Sequence, residues 1–149
     1  MSWDKIVKWL SAIAGAVAGA LGGWDVMLQV LAGIMAIDYA TGWIVAIMGK
    51  SQKTESGHLD SNVGFMGILK KCLIILMVLL GAMLDKAIGQ QNVFRSMVVF
   101  FYIANEGLSI LENMALSGVP FPKTIKKALE QLKQKNDEPP DGEPDLEAE

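Results

Sequence analysis

The sequence predicts an all-α integral membrane protein: three to four transmembrane helices, an amphipathic C-terminal helix and a disordered acidic tail. Three observations point there. Apolar residues, 52% of the 149, gather in four blocks and give a mean hydropathy of +0.35. Charged residues make up 19%, below the roughly 25% of soluble domains. Lysine and arginine fall almost entirely in alternate segments between the blocks, as the positive-inside rule requires of a multi-pass chain.

The first block, Trp9–Trp24, is uncharged between Lys8 and Asp25. Gly15, Gly19 and Gly23 lie four apart, and in an apolar helix such a row lets a second helix approach closely. This favours a first span that packs against another copy. The alternative is a helix lying in the interface, because Trp3, Ile6, Val7, Leu10, Ile13 and Ala14 recur at helical spacing opposite Asp4, Lys5 and Lys8. Gly22-Gly23-Trp24-Asp25 reads as a tight turn into the second block, Val26–Met48.

That second block is long enough to cross a hydrocarbon core of about 30 Å, yet carries Asp38 at its centre. A carboxylate at that depth costs roughly 2.5–3.5 kcal/mol on insertion scales, so Asp38 is a functional candidate. Ala32, Ala36 and Ala40 form a small-residue row suited to helix packing, and Asp38, Thr41 and Gly42 point away from it. The third block, 65–84, follows a polar loop and opens with Lys70 and Lys71. The fourth, 93–116, is interrupted by Arg95, Glu106 and Glu112. Asn105, Ser109, Glu112 and Asn113 share a polar stripe with Glu106 beside them, a face that wants water or hydrogen-bond partners. This stripe and Asp38 border a water-filled lesion between copies, tie neighbouring helices together through Lys70 and Lys71, or line a substrate or proton pathway.

Residues 123–135 read as an amphipathic helix, with Pro122 placed to open it and Ile125, Leu129 and Leu132 on one side. It suits an anionic membrane surface or a packed position on its neighbours, and Lys70, Lys71, Lys126 and Lys127 are the expected cytoplasmic surface anchors. The membrane domain thus spans 1–135. The remaining 136–149 hold seven acids, no base and three prolines, a composition that cannot build a core. Without them the net charge of −3 becomes +4, with 13 bases against nine acids.

With four spans and a cytoplasmic N-terminus, eleven lysines lie inside and only Lys86 and Arg95 outside. Three spans with the N-terminus outside give nine against four. Both termini are therefore expected in the cytoplasm. A single cysteine, Cys72, excludes an intramolecular disulfide and reads as a buried small hydrophobe. A single histidine, His58, sits in the polar loop. No phosphate loop, nucleophile elbow or metal-ligand spacing occurs, so no enzyme, cofactor, metal or nucleic-acid partner is expected.

From about Asp38 to Lys133 the chain resembles the toxin-secretion/phage-lysis holin family. The resemblance rests on Asp38-Tyr39-Ala40-Thr41-Gly42, on Ser61–Lys71, on the apolar span ending at Asp85, and on Tyr102–Asn113 followed by Gly118–Lys123, in that order. It implies a protein that assembles into lesions in the bacterial cytoplasmic membrane and releases an endolysin, or in some relatives a protein toxin. The partners implied are the bilayer and further copies of the chain. A small ion-selective channel and an accessory or antagonist membrane protein are the alternatives.

Overall fold

The computed structural model describes residues 2–137, all helices and connecting turns. Helix α1 runs Trp3–Ala20, α2 Val26–Ile47, α3 Ser61–Ile88, α4 Val93–Ser117 and α5 Lys123–Asp137. The last helix enters the first two residues of the expected tail. The rest of that tail lies outside the described residues.

Three of these helices are long and apolar enough to cross a membrane: α2, α3 and α4. At 1.5 Å per residue they measure about 33, 42 and 38 Å against a core of about 30 Å. Helix α3 starts four residues before the third apolar block and ends four beyond it. Its start is fixed by Asp60, whose Oδ1 accepts from the backbone N–H groups of Asn62 and Val63 at 2.8 and 3.2 Å. Its end is fixed by Gly89, left-handed at φ 76°.

Helix α1 is not among the three. Asp4, Lys5 and Lys8 all fall in its 18 residues, and none of its residues is buried. Gly15 and Gly19 stay on its surface, with open space where a Cβ would sit. Gly23 does not extend their row, because the helix stops at Ala20. Gly22 and Gly23 form the turn at φ 87° and 112°, a backbone region open to glycine and strained for other residues.

Helix α4 is the hub. It packs along α2, α3 and α5, whereas α2 and α3 meet only briefly. The shared core is small: Leu28, Leu31 and Met35 of α2, Ile74 and Val78 of α3, and Val99 and Ile103 of α4, with Leu21 from the first turn. Leu73, Leu76, Leu80 and Met83 of α3 face outward, as lipid-contacting side chains do. Cys72 shares that outward face, so it is exposed rather than buried. Only one side of α3 has a partner helix.

Helix α5 folds back along α4. Leu129 rests on Gly107, where an added Cβ would lie 3.0 Å from the leucine methyls, and Leu132 packs against the core. Of the two expected placements the helix takes the packed one. Lys126 and Lys127 remain exposed, with Lys126 3.7 Å from Glu130.

One end of the bundle is closed by Arg95, fully buried in the first turn of α4. Its Nη1 donates to Asp25 Oδ2 at 2.7 Å and its Nη2 to Asp25 Oδ1 at 3.1 Å. Its Nε donates to Leu21 O, and Nη2 also reaches Gly23 O at 3.2 Å. Asp25 in turn caps α2 through Leu28 N at 2.9 Å. Asp85, buried at the end of α3, accepts from Phe94 N and Arg95 N, both at 2.9 Å, and so starts α4. Gly81 lets the helices meet here, since a Cβ on it would stand 3.0 Å from Arg95 Cα.

Two outcomes follow from this clasp. Arg95→Met leaves the Leu21 carbonyl without its guanidinium donor and Asp25 without its cation, and lowers stability in detergent micelles by about 1–3 kcal/mol, as thermal unfolding reads it. Arg95→Lys recovers little of that, because a point ammonium cannot make the planar fork. The second outcome concerns acid. The Arg95 guanidinium holds the Asp25 carboxyl below its ordinary value of 3.8. That group's contribution is complete above the ordinary value and disappears as pH falls through the depressed one. A pH series of unfolding temperatures should therefore show an acid limb that Asp25→Asn flattens.

Candidate functional site

Asp38 lies about halfway along α2, and the buried side of that helix (Leu28, Leu31, Met35, Asp38, Val45) turns it inward. The alanine row faces the other way: Ala32 is half-buried and Ala36 and Ala40 are exposed. Within the bundle it is thus the Asp38 face that packs toward α4, while the alanine face, expected to be the packing one, is open.

Glu106 sits about halfway along α4 and is equally buried. Between the two carboxylates stands Lys71, about a third of the way into α3. Its Nζ donates to Asp38 Oδ2 at 2.5 Å and to Glu106 Oε2. Lys71 is thus no surface anchor. The early start of α3 carries it into the bundle, where its ammonium meets two acids. Lys70, one position before it, is exposed. The second oxygen of Asp38, Oδ1, is buried without a hydrogen-bond partner.

The polar stripe of α4 divides. Asn113 is buried, and its Nδ2 donates to Thr41 Oγ1 at 3.0 Å and to Asp38 O at 3.5 Å. The Thr41 hydroxyl itself donates to Asp38 O at 3.0 Å. This network fastens α2 to α4 one to two turns from the ionic group. Asn105 and Glu112 are exposed and Ser109 is half-buried.

Because α2 and α3 diverge, a cleft of about 990 Å³ opens between them. Asp38, Lys71 and Glu106 lie at its inner end, and Asn105 and Ser109 of α4 also line it. Tyr39 and Trp43 form one wall, their rings tilted at 6.0 Å, and Tyr39 OH donates to Gly64 O at 3.4 Å. At the mouth is the 48–60 loop, with Lys53, His58 and Asp60. His58 packs over Gly49, whose φ of 69° the loop requires. Among the described residues no group of three or more His, Cys, Asp or Glu is placed to hold a metal.

Asp38, Thr41, Glu106 and Asn113 are thus brought together, and Asn105 and Ser109 join them along the cleft. The sequence reading missed Arg95 as a structural centre and counted it only as an outside charge. Its signal was an arginine inside an apolar run, with Asp25 and Asp85 at the edges of the neighbouring runs.

Comparison with known proteins places this geometry. A model of the bacteriophage holin family matches residues 15–134, which include every residue of the ionic group and the Arg95 clasp. The chain is 36% identical over 102 residues to a probable holin of Bacillus phage phi105, covering 68% of this chain and 70% of that one. It is 39% identical over 131 residues to an uncharacterized 14.9 kDa protein in the nagH 3' region of Clostridium perfringens, covering 87% and 94%. An uncharacterized protein of Halalkalibacterium halodurans, BH0965, is 34% identical over 136 residues, covering 87% and 96%. No solved structure matches.

The divided stripe makes a prediction within one helix. Asn113→Ala removes the two hydrogen bonds that tie α4 to Thr41 and Asp38 O of α2 and lowers stability in micelles by about 1–3 kcal/mol. Asn105→Ala, at an exposed position, stays within about 0.5 kcal/mol of the parent. Paired thermal or denaturant unfolding curves measure both.

Proposed function

Because the chain belongs to the bacteriophage holin family, we propose that it is a holin: it accumulates in the bacterial cytoplasmic membrane, associates with further copies of itself and forms lesions that release an endolysin and lyse the cell. The observation that carries this reading is the family match, which extends over residues 15–134, from the last turns of α1 into α5. The monomer's own surface supports it. Most of the large apolar side chains of α1 and α3 face outward, and two small-residue surfaces, Gly15–Gly19 on α1 and Ala36–Ala40 on α2, are open. Small residues on exposed apolar helices favour close helix–helix contact in a bilayer, where van der Waals packing drives association. A chain of this size has little room for a passage of its own, and an assembly of copies supplies one.

In this proposal the cleft of Asp38, Asn105, Glu106 and Ser109 becomes part of the wetted wall when copies associate, with Thr41 beside it on α2 and Glu112 and Asn113 further along α4. The orientation follows the bases. The 48–60 loop and the start of α5 lie at the same end of the bundle, and the clustering of Lys50, Lys53, Lys123, Lys126 and Lys127 there supports a cytoplasmic side for that end under the positive-inside rule.

Expression in a bacterium tests the function. Membrane potential should collapse after a delay, and cells should lyse only when an endolysin is produced alongside. Sustained potential at high membrane levels of the chain would contradict the proposal, and graded ion-selective conductance without lysis would favour a small channel. Gly19→Leu should lower crosslinking between copies at least severalfold and delay the collapse. Unchanged crosslinking removes α1 from the assembly surface.

A further inference from the structure

We infer that helix α5 is part of the water-facing wall of the lesion: it stays packed on α4 at mid-depth of the membrane, and its outer face, with Lys127, Glu130, Gln131 and Gln134, lines the lumen. The register of α5 carries this. Leu129 rests on Gly107, and one turn further on Leu132 packs against the core that holds Val99 and Ile103 of α4. Two contacts in that order make α5 antiparallel to α4. Gly107 is ten residues from the end of α4 at Ser117, about 15 Å along a helix of about 38 Å. Leu129 is therefore within a turn of the midpoint of α4. On the same rise, Gln131 and Gln134 fall on either side of that midpoint.

The outer face of α5 is polar throughout. Leu129 and Leu132 turn to α4, and the opposite side of the helical repeat holds Lys127, Glu130, Gln131 and Gln134 with no apolar residue among them. Lys127, Gln131 and Gln134 are exposed, and Glu130 is half-buried. Lys126 and Lys127 lie near the start of α5, where long apolar stems carry their ammonium groups to the nearer interface. Glu130, Gln131 and Gln134 are shorter and deeper, and cannot follow. Lipid at that depth leaves a carboxylate or a side-chain amide without partners, so this face needs water beside it.

A single chain surrounded by lipid offers no water there, whereas associated copies enclose it. The packed position of α5 and the lumen thus stabilise each other. This consequence rests on the lesion reading above. The other position open to an amphipathic helix is the membrane surface. Moving there would empty the contact at Gly107 and withdraw Leu132 from the core.

The test locks α5 in place. In the full-length chain carrying Cys72→Ser, Gly107→Cys and Leu129→Cys put two thiols at the contact, and a second chain adds Gln134→Cys as the one thiol left free by the lock. Both are placed in vesicles of phosphatidylethanolamine and phosphatidylglycerol. The disulfide should form in the vesicles, and the oxidised chain should release folded protein markers at the same protein density as its reduced form. A charged, membrane-impermeant thiol reagent should then modify Gln134→Cys about tenfold faster than Cys72 of the wild type, which faces outward on α3, because an apolar surround suppresses the reactive thiolate. A disulfide that forms in detergent and not in vesicles overturns the inference. So does a lock that abolishes the leakage of the reduced chain, or a leaking vesicle in which Gln134→Cys reacts as slowly as Cys72. No leakage from the wild type at any density is a different result: the lesion reading fails, and the inference falls with it.

Discussion

A charge inside a hydrocarbon layer must be matched from within the protein, and the guanidinium of Arg95 is where this chain meets that demand most fully. All three of its nitrogens are bonded, to the Asp25 carboxylate and to the carbonyls of Leu21 and Gly23. The same few residues set the fold. Asp25 starts α2, Asp85 ends near Arg95 and starts α4, and the Gly22–Gly23 turn is shaped so that its carbonyls reach the guanidinium. Since an unsatisfied polar group costs far more in lipid than in water, this closed end is the fixed point from which the helices diverge.

The opposite half of the bundle follows from that divergence. Helices α2 and α3 separate, α4 touches both, and the space between them becomes a cleft with Asp38, Lys71 and Glu106 at its inner end. One end of the molecule is therefore saturated with hydrogen bonds. The other holds one base against two acids and one orphan oxygen.

Much of this was legible in the sequence. Block length and bounding charges located α2 and α4 to within a residue or so, because apolar runs of that size have one stable form in a bilayer. The 3.6-residue period separated the alanine face of α2 from the Asp38 face, and the structure keeps them apart. The period was less informative for α4. It grouped Asn105, Ser109, Glu112 and Asn113 as one stripe, but a stripe has two edges, and only Glu106 and Asn113 turn fully toward a neighbour. Lys71 was misread for a similar reason. Its neighbour Lys70 is an ordinary exposed lysine, and one residue of rotation, about 100°, decides which of the two enters the bundle. Arg95 and Asp25 are 70 positions apart, so no local pattern joins them.

Family membership supplies what the monomer's geometry does not, namely that the bundle is that of a bacteriophage holin family member. The geometry adds where an assembly would draw its packing surfaces and its wetted wall. The most direct measurement is the size cutoff of leakage from vesicles that contain the purified full-length chain. The account predicts that, past a threshold of protein per vesicle, folded protein markers escape together with small dyes. Release of ions or small dyes alone, with folded markers retained at every protein density, would contradict it.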